Sequence, residues 1–358
     1  MSAVPPVRPG LDLAEGYHSP QVEAEVRLNT NESPFPPPDE WREELLEELQ
    51  EVSFHRYPDR PATELREAVA DLHGVTPEEV FCANGSNEVL QSLLLAFGGP
   101  SRRALLFEPT YALHSHISRI TGTEVVEGSR DDNFVIDPDH AVRFIAAQQP
   151  DVTFLCSPNN PTGRAEPPEL VAAVVDRASG LVVVDEAYGQ FAPSSALDLI
   201  CAGGAGSSRL VVVRTFSKTW SMAASRLGYL VGAPEVVEAC ELVTLPYHLD
   251  AVTQLSGRLA LRFGDEMRAR VAWIGEERGR LAGALGDLPV ETWPSDANFV
   301  LFRPRTKPAE QVWSDLLAES VLVRDCSRWP GLTGCLRVTV GRREENDRFL
   351  GALARSLS

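Results

Sequence analysis

The feature that most limits the fold of this chain is a repeated unit: a short apolar run, a polar loop, and then a helical pattern. Runs at residues 80–83, 104–107, 152–156, 181–184 and 210–213 end respectively in Asn84-Gly-Ser-Asn-Glu88, Pro109-Thr-Tyr111, Ser157-Pro-Asn-Asn-Pro-Thr-Gly163, Asp185-Glu-Ala-Tyr188 and Thr215-Phe-Ser-Lys218. A further run lies at 123–126. Continuous apolar runs, rather than alternating ones, read as strands covered on both faces. Strands that alternate with helices predict an α/β fold with a mostly parallel sheet flanked by helices. Ligands of such sheets gather beyond the carboxyl ends of the strands. The polar clusters named above fall at those ends.

The 358 residues exceed what one compact core usually serves, and the pattern changes twice along the chain. Residues 1–40 carry many prolines, including Pro34 and Pro36 to Pro38, and predict an extended arm with little regular structure that adds a segment to the small domain. Residues 41–252 hold the repeated units and form the large domain, opened by helices over 39–51, with Asp39 as a cap, and over 63–72. Residues 253–358 read as a smaller α+β domain: helices over 254–263, 267–285 and 309–319, strands near 296–302, 321–325 and 335–340, and a terminal helix from Glu344.

Within this frame Lys218 stands out. Of 33 basic residues 31 are arginine, so the chain uses arginine almost wherever a positive charge suffices; the two lysines are Lys218 and Lys307. An ammonium differs from a guanidinium in that it can lose its proton and attack a carbonyl. Lys218 ends a buried run, has the hydroxyl of Ser217 beside it, and is followed by Arg226, two groups suited to a phosphate. A second phosphate-directed feature is Gly85-Ser86-Asn87, where backbone N–H groups open a helix.

The segment Ser217-Lys218 to Arg226 resembles the lysine segment of the fold-type I aminotransferases, which depend on pyridoxal 5′-phosphate (PLP). Further landmarks of that family occur in order: Asn29-Thr-Asn-Glu-Ser-Pro34, Arg56-Tyr-Pro-Asp59, Gly85-Ser-Asn-Glu88, Pro109-Thr-Tyr111, Pro158-Asn-Asn-Pro-Thr-Gly163, Asp185-Glu-Ala-Tyr188, Val323-Arg-Asp325 and Cys335-Leu-Arg-Val-Thr-Val-Gly341. Within the family the chain is most similar to the histidinol-phosphate aminotransferases. The resemblance implies that Lys218 carries the cofactor and moves protons, and that Asp185 holds the ring nitrogen. It also implies that Asn160 and Tyr188 bond the ring oxygen, that Tyr111 stacks on the ring, and that Ser86, Asn87, Ser217 and Arg226 hold the phosphate. Tyr57 would reach the phosphate of a partner subunit, making a homodimer. Arg337 would bind a carboxylate, with Tyr17, Asn31 and Arg324 as further substrate-binding residues. Ser33, Asn87 and Ala224-Ser225 depart from the usual family residues without removing a reacting group.

Composition narrows the alternatives. A formal charge of −18 disfavours nucleic acid or an anionic membrane as partner. Six scattered cysteines form no Cys-x-x-Cys pair or zinc spacing, and with no signal peptide or membrane-length apolar run they predict reduced thiols in the cytoplasm. His114 and His116 have metal-like spacing but no further ligands, and receive no role. The resemblance implies a reaction that converts L-histidinol phosphate and 2-oxoglutarate to imidazole acetol phosphate and L-glutamate. Rival readings are an aromatic amino acid aminotransferase, a threonine-phosphate decarboxylase-like lyase and a PLP-bound regulatory module.

Overall fold

The computed structural model describes residues 22–204 and 206–358. The described chain opens with strand β1 (Val26–Leu28), helix α1 (Asp39–Glu48) and helix α2 (Thr63–His73). Asp39 is the first residue of α1 rather than its cap; that position falls to Pro38, whose extended backbone leads into the helix. The repeated units follow as β2 (Val80–Ala83), α3 (Gly85–Phe97), β3 (Arg103–Glu108), α4 (Ala112–Ile120), β4 (Glu124–Ser129), α5 (Pro138–Gln148), β5 (Val152–Cys156) and α6 (Pro168–Arg177). They continue as β6 (Leu181–Asp185), α7 (Leu197–Ala202), β7 (Leu210–Thr215), β8 (Gly228–Val231) and α8 (Pro234–Val243).

These strands form one seven-stranded sheet in the order β2-β8-β7-β6-β5-β3-β4. The five central and edge strands β7, β6, β5, β3 and β4 are mutually parallel, whereas β8 runs antiparallel to both β7 and β2. Alternate residues feed opposite layers: Val182, Val184 and Val212 pack with α2, α5 and α6 through Leu65, Ile145 and Val174. Val183, Val211 and Val213 pack with α3 and α4 through Val89, Leu93 and Ile117. This two-sided burial is why the runs are apolar at every position.

The remaining elements are α9 (Ala251–Ala260), α10 (Gly264–Gly286), β9 (Val290–Thr292), β10 (Phe299–Pro304), α11 (Ala309–Ala318), β11 (Val321–Asp325), β12 (Leu336–Thr339) and α12 (Arg343–Leu357). A second sheet, β1-β11-β12-β10-β9, packs Val300, Phe302, Val323 and Val338 against Ile274, Leu281, Leu316 and Phe349 of α10, α11 and α12. The proline-rich arm thus contributes a strand: β1 pairs parallel to β11, with Leu28 opposite Val323. That pairing leaves residues 29–31 lying between the two sheets, against side chains from both.

Candidate active site

The order of the large sheet reverses between β3 and β5, and the loops leaving those strands part there. A cavity of about 310 Å³ opens at this point, lined by the ends of β3, β5, β6 and β7, by residues 29–32, and by Arg324 and Arg337 of the small sheet. It brings together Ser86, Asn87, Tyr111, Asn160, Asp185, Tyr188, Ser217, Lys218, Arg226, Asn31, Arg324 and Arg337, all expected from sequence.

One end of the cavity is a cup of donors. Helix α3 begins at Gly85 with no side-chain cap, so its first N–H groups point outward unclaimed by Asn84. Gly85 has φ +79°, and a Cβ there would lie 2.7 Å from Nη2 of Arg226. Gly228 is equally constrained, because a Cβ would lie 2.3 Å from the Ser86 nitrogen. The absent side chains let the helix start, β8 and the Arg226 guanidinium converge. Nη1 of Arg226 donates to Ser217 Oγ at 3.3 Å and to the Ala223 carbonyl at 3.1 Å, and Ser217 is itself held by Thr215. A guanidinium, a hydroxyl and a helix start around one small space suit a phosphate dianion.

Asp185 lies deeper, at the end of β6, and is almost wholly buried. Its Oδ1 accepts from the Ala187 N–H at 3.1 Å, and its Oδ2 is 2.9 Å from Nε2 of His114. His114 stacks on Phe154, with centroids 4.8 Å apart, and meets Tyr111 edge-on at 5.4 Å. Tyr111 in turn donates to Asn87 Oδ1 at 3.2 Å. His114 is therefore a site residue that the sequence reading passed over. It follows Tyr111 by three positions, one helical turn, which was the available signal.

Lys218 is half-buried, and its amine donates to the Thr30 carbonyl at 3.0 Å while sitting 5.7 Å from the centre of the Tyr188 ring. Burial lowers its pKa from 10.5 to about 7; Arg337 and Arg226 push in the same direction, and Glu32 opposes them. Arg337 donates to Asn160 Oδ1 at 2.5 Å and to the Asn29 carbonyl at 2.8 Å, and lies over the Phe299 ring. Among the described residues its buried Nε has no hydrogen-bond partner. Arg324 is directly opposite Arg337 in the antiparallel register of β11 and β12, with its guanidinium 5.6 Å from the Trp329 ring.

Asn31, in a left-handed conformation with φ 56°, donates through Nδ2 to the Tyr188 hydroxyl at 2.9 Å. Tyr57 is not part of this cavity: it is 79% exposed and stacks on Tyr247 at 4.5 Å. Tyr17 lies outside the described residues. Among the described residues no group of three or more His, Cys, Asp or Glu side chains is placed to hold a metal ion, and no helix is long and apolar enough to cross a membrane.

Comparison with known proteins agrees with this geometry. The family model described as aminotransferase class I and II matches residues 23–353. The chain is 47% identical over 357 residues to a histidinol-phosphate aminotransferase from Nocardia farcinica, covering 96% of this chain and 90% of that protein. It is 44% identical over 358 residues to one from Corynebacterium efficiens, covering 98% and 94%. Among solved structures, the histidinol-phosphate aminotransferase from Sinorhizobium meliloti in complex with pyridoxal-5′-phosphate shares the fold with a TM-score of 0.89. That match covers 99% of this chain and 98% of the other at 21% identity.

Proposed function

The chain belongs to the class I and II aminotransferases, and from that premise we propose that it is a PLP-dependent transaminase acting on L-histidinol phosphate. In this reading the acceptor is 2-oxoglutarate and the products are imidazole acetol phosphate and L-glutamate, a step of histidine biosynthesis. The observation that carries the substrate assignment is the register pair Arg324 and Arg337 on the cavity wall. Two guanidinium groups on the wall of one cavity gather positive charge there, which suits an anionic substrate. A phosphate monoester in one half-reaction and the carboxylates of glutamate and 2-oxoglutarate in the other both pair with the planar fork of arginine.

The residues present fit the cofactor. The cup that a Cβ at Gly85 would fill suits its phosphate, held by the α3 N–H groups, Ser217 and Arg226. Asp185, kept in place by His114 and the Ala187 N–H, suits a protonated ring nitrogen, and Asn160 and Tyr188 suit the ring oxygen. When bound, PLP supplies an electron sink for the negative charge that develops at the substrate α carbon.

The chain's own residues supply the rest. Lys218, with a pKa near 7, is about half neutral at pH 7, so one amine can both take the α proton and return it. The Thr30 carbonyl keeps that amine pointed across the cavity rather than toward solvent. Arg337 anchors the substrate anion at a fixed distance from Lys218, and its hydrogen bond to Asn160 ties substrate position to the cofactor pocket. Tyr57, exposed and outside its own cavity, serves the cavity of a second copy, so the working form is a homodimer. Six unpaired cysteines, five of them buried, support a reducing compartment, the cytoplasm.

A donor panel tests the reading. Purified protein supplied with PLP and 2-oxoglutarate is expected to form glutamate from histidinol phosphate with a higher kcat/KM than from phenylalanine. Borohydride reduction is expected to leave the cofactor on the peptide containing Lys218. Preference for phenylalanine, release of carbon dioxide from threonine phosphate, or labelling at Lys307 would each overturn it.

A further inference from the structure

The connection between β11 and β12 carries an aromatic side chain that no step above uses. Trp329 follows Arg324 by five residues, and the Arg324 guanidinium lies 5.6 Å from the centre of its ring. The backbone of Trp329 is held on both sides: its N–H donates to the Cys326 carbonyl at 3.0 Å, and its carbonyl accepts from the Leu332 N–H at 3.1 Å. The half-buried ring packs on a buried cluster that includes Trp293 and Leu301, from the β9–β10 region, and Phe134, from the connection between β4 and α5. Phe134 meets Trp293 with ring centres 5.0 Å apart. Two residues beyond Trp329 the chain passes Pro109, since a Cβ on Gly331 would lie 3.6 Å from the Pro109 Cδ. The platform under Arg324 is thus fixed to both halves of the molecule.

We propose that Trp329 is a positioning residue for the phosphate end of the substrate: its ring holds the Arg324 guanidinium at the cavity wall and so sets the preference for a phosphate monoester over an aromatic amino acid. The inference rests on the substrate reading above. Trp329 does not itself line the cavity, whereas Arg324 does, so its effect passes through Arg324. An arginine side chain has many rotamers, and ordering it only when the substrate arrives weakens binding; a fixed ring beneath it removes part of that cost in advance. The ring attracts the cation through its quadrupole and, unlike a carboxylate, leaves the positive charge uncompensated for an incoming anion. The neighbouring carboxylate is directed elsewhere. Successive strand residues point to opposite faces, and Asp325 Oδ1 accepts from the Ser327 N–H at 2.8 Å. Arg337, by contrast, is held by Asn160 and the Asn29 carbonyl, so loss of the Trp329 ring loosens one guanidinium of the pair and spares the other.

The test compares kcat, KM and kcat/KM for histidinol phosphate and phenylalanine in the PLP-loaded protein and in Trp329→Leu, Trp329→Phe, Arg324→Gln and the Trp329→Leu, Arg324→Gln double variant. Trp329→Leu is expected to lower kcat/KM for histidinol phosphate about three- to thirtyfold, the range of a cation–π contact from exposed to desolvated sites. The loss falls on KM with kcat little changed, because the phosphate lies away from the reacting carbon, and phenylalanine is affected far less. Trp329→Phe keeps an aromatic face and recovers most of the loss. In the Arg324→Gln background Trp329→Leu produces no further loss, which separates positioning of Arg324 from general loosening of the loop. Trp329→Met fills a similar space without an aromatic face and carries the same expectation should the leucine variant fail to fold. No loss in either variant, an equal loss for the two donors, or a full loss in the Arg324→Gln background overturns the proposal. A wild-type chain that prefers phenylalanine overturns the substrate reading beneath it, a failure distinct from a wild type that prefers histidinol phosphate but is indifferent to Trp329.

Discussion

The low pKa of Lys218 is the most direct consequence of the site that can be measured without any ligand. An ordinary lysine with pKa 10.5 is neutral in roughly one molecule in 3,000 at pH 7. Lys218, at about 7, is neutral in about half, a gain of some three powers of ten in usable base. Burial is the largest cause, and of the charges Arg337 lowers the value most, Glu32 raises it, and Arg226 lowers it less. Because the chain has only two lysines, ¹³C-reductive methylation of the cofactor-free protein gives two lysine resonances, with Lys307→Arg assigning the signal of the lysine ion-paired to Asp315. The signal of Lys218 is expected to titrate near pH 7. Arg337→Gln moves that midpoint up, Arg226→Gln moves it up by less, and Glu32→Gln moves it down. In the proposed reaction the neutral amine is the proton acceptor, so proton abstraction is expected to rise with pH through this midpoint and level above it, and Arg337→Gln to shift that rising limb to higher pH. A Lys218 signal that titrates in the ordinary lysine range, or a downward shift in Arg337→Gln, refutes the electrostatic argument.

Substitution of the two paired arginines separates their roles. One charge-assisted contact is worth about 1.5–3 kcal/mol, or roughly 10- to 150-fold in kcat/KM. Arg324→Gln is expected to lower kcat/KM for histidinol phosphate by that factor and for phenylalanine far less, whereas Arg337→Gln lowers both; equal effects of Arg324→Gln on the two donors would remove the phosphate assignment. Gly85→Ala places a methyl against the Arg226 guanidinium at a left-handed backbone position, and PLP retention after dialysis is expected to fall by about tenfold or more, with the fold intact by circular dichroism. Tyr57→Phe is expected to weaken PLP retention. Mixing Tyr57→Phe with Lys218→Ala subunits should recover part of the activity that each lacks alone, and no recovery would argue that Tyr57 does not serve a neighbouring subunit.

How far the chain could be read in advance follows from what each residue depends on. The central parallel strands were legible because burial on both faces writes itself into consecutive residues, as at Val182, Val183 and Val184, whose side chains enter opposite layers. Strand β8 was not assigned from sequence: its four residues open with Gly228, a poor strand former, and it runs antiparallel to both of its neighbours. Lys218 was legible for a compositional reason, since a chain that otherwise uses arginine advertises the place where a proton must leave. The role of His114 was not, because its meaning lies in a carboxylate 71 positions away that only the sheet order brings within 2.9 Å. The same holds for Asn29, Thr30 and Asn31. Their side chains fit a family pattern, but three of their contacts are made by backbone carbonyls, which every residue possesses and no sequence distinguishes. Even the two arginines, each visible alone, acquire their chemistry from register. A shift of one residue between β11 and β12 would turn one guanidinium to the opposite face of the sheet, away from the cavity, and end the paired positive wall on which the proposed anionic substrate depends.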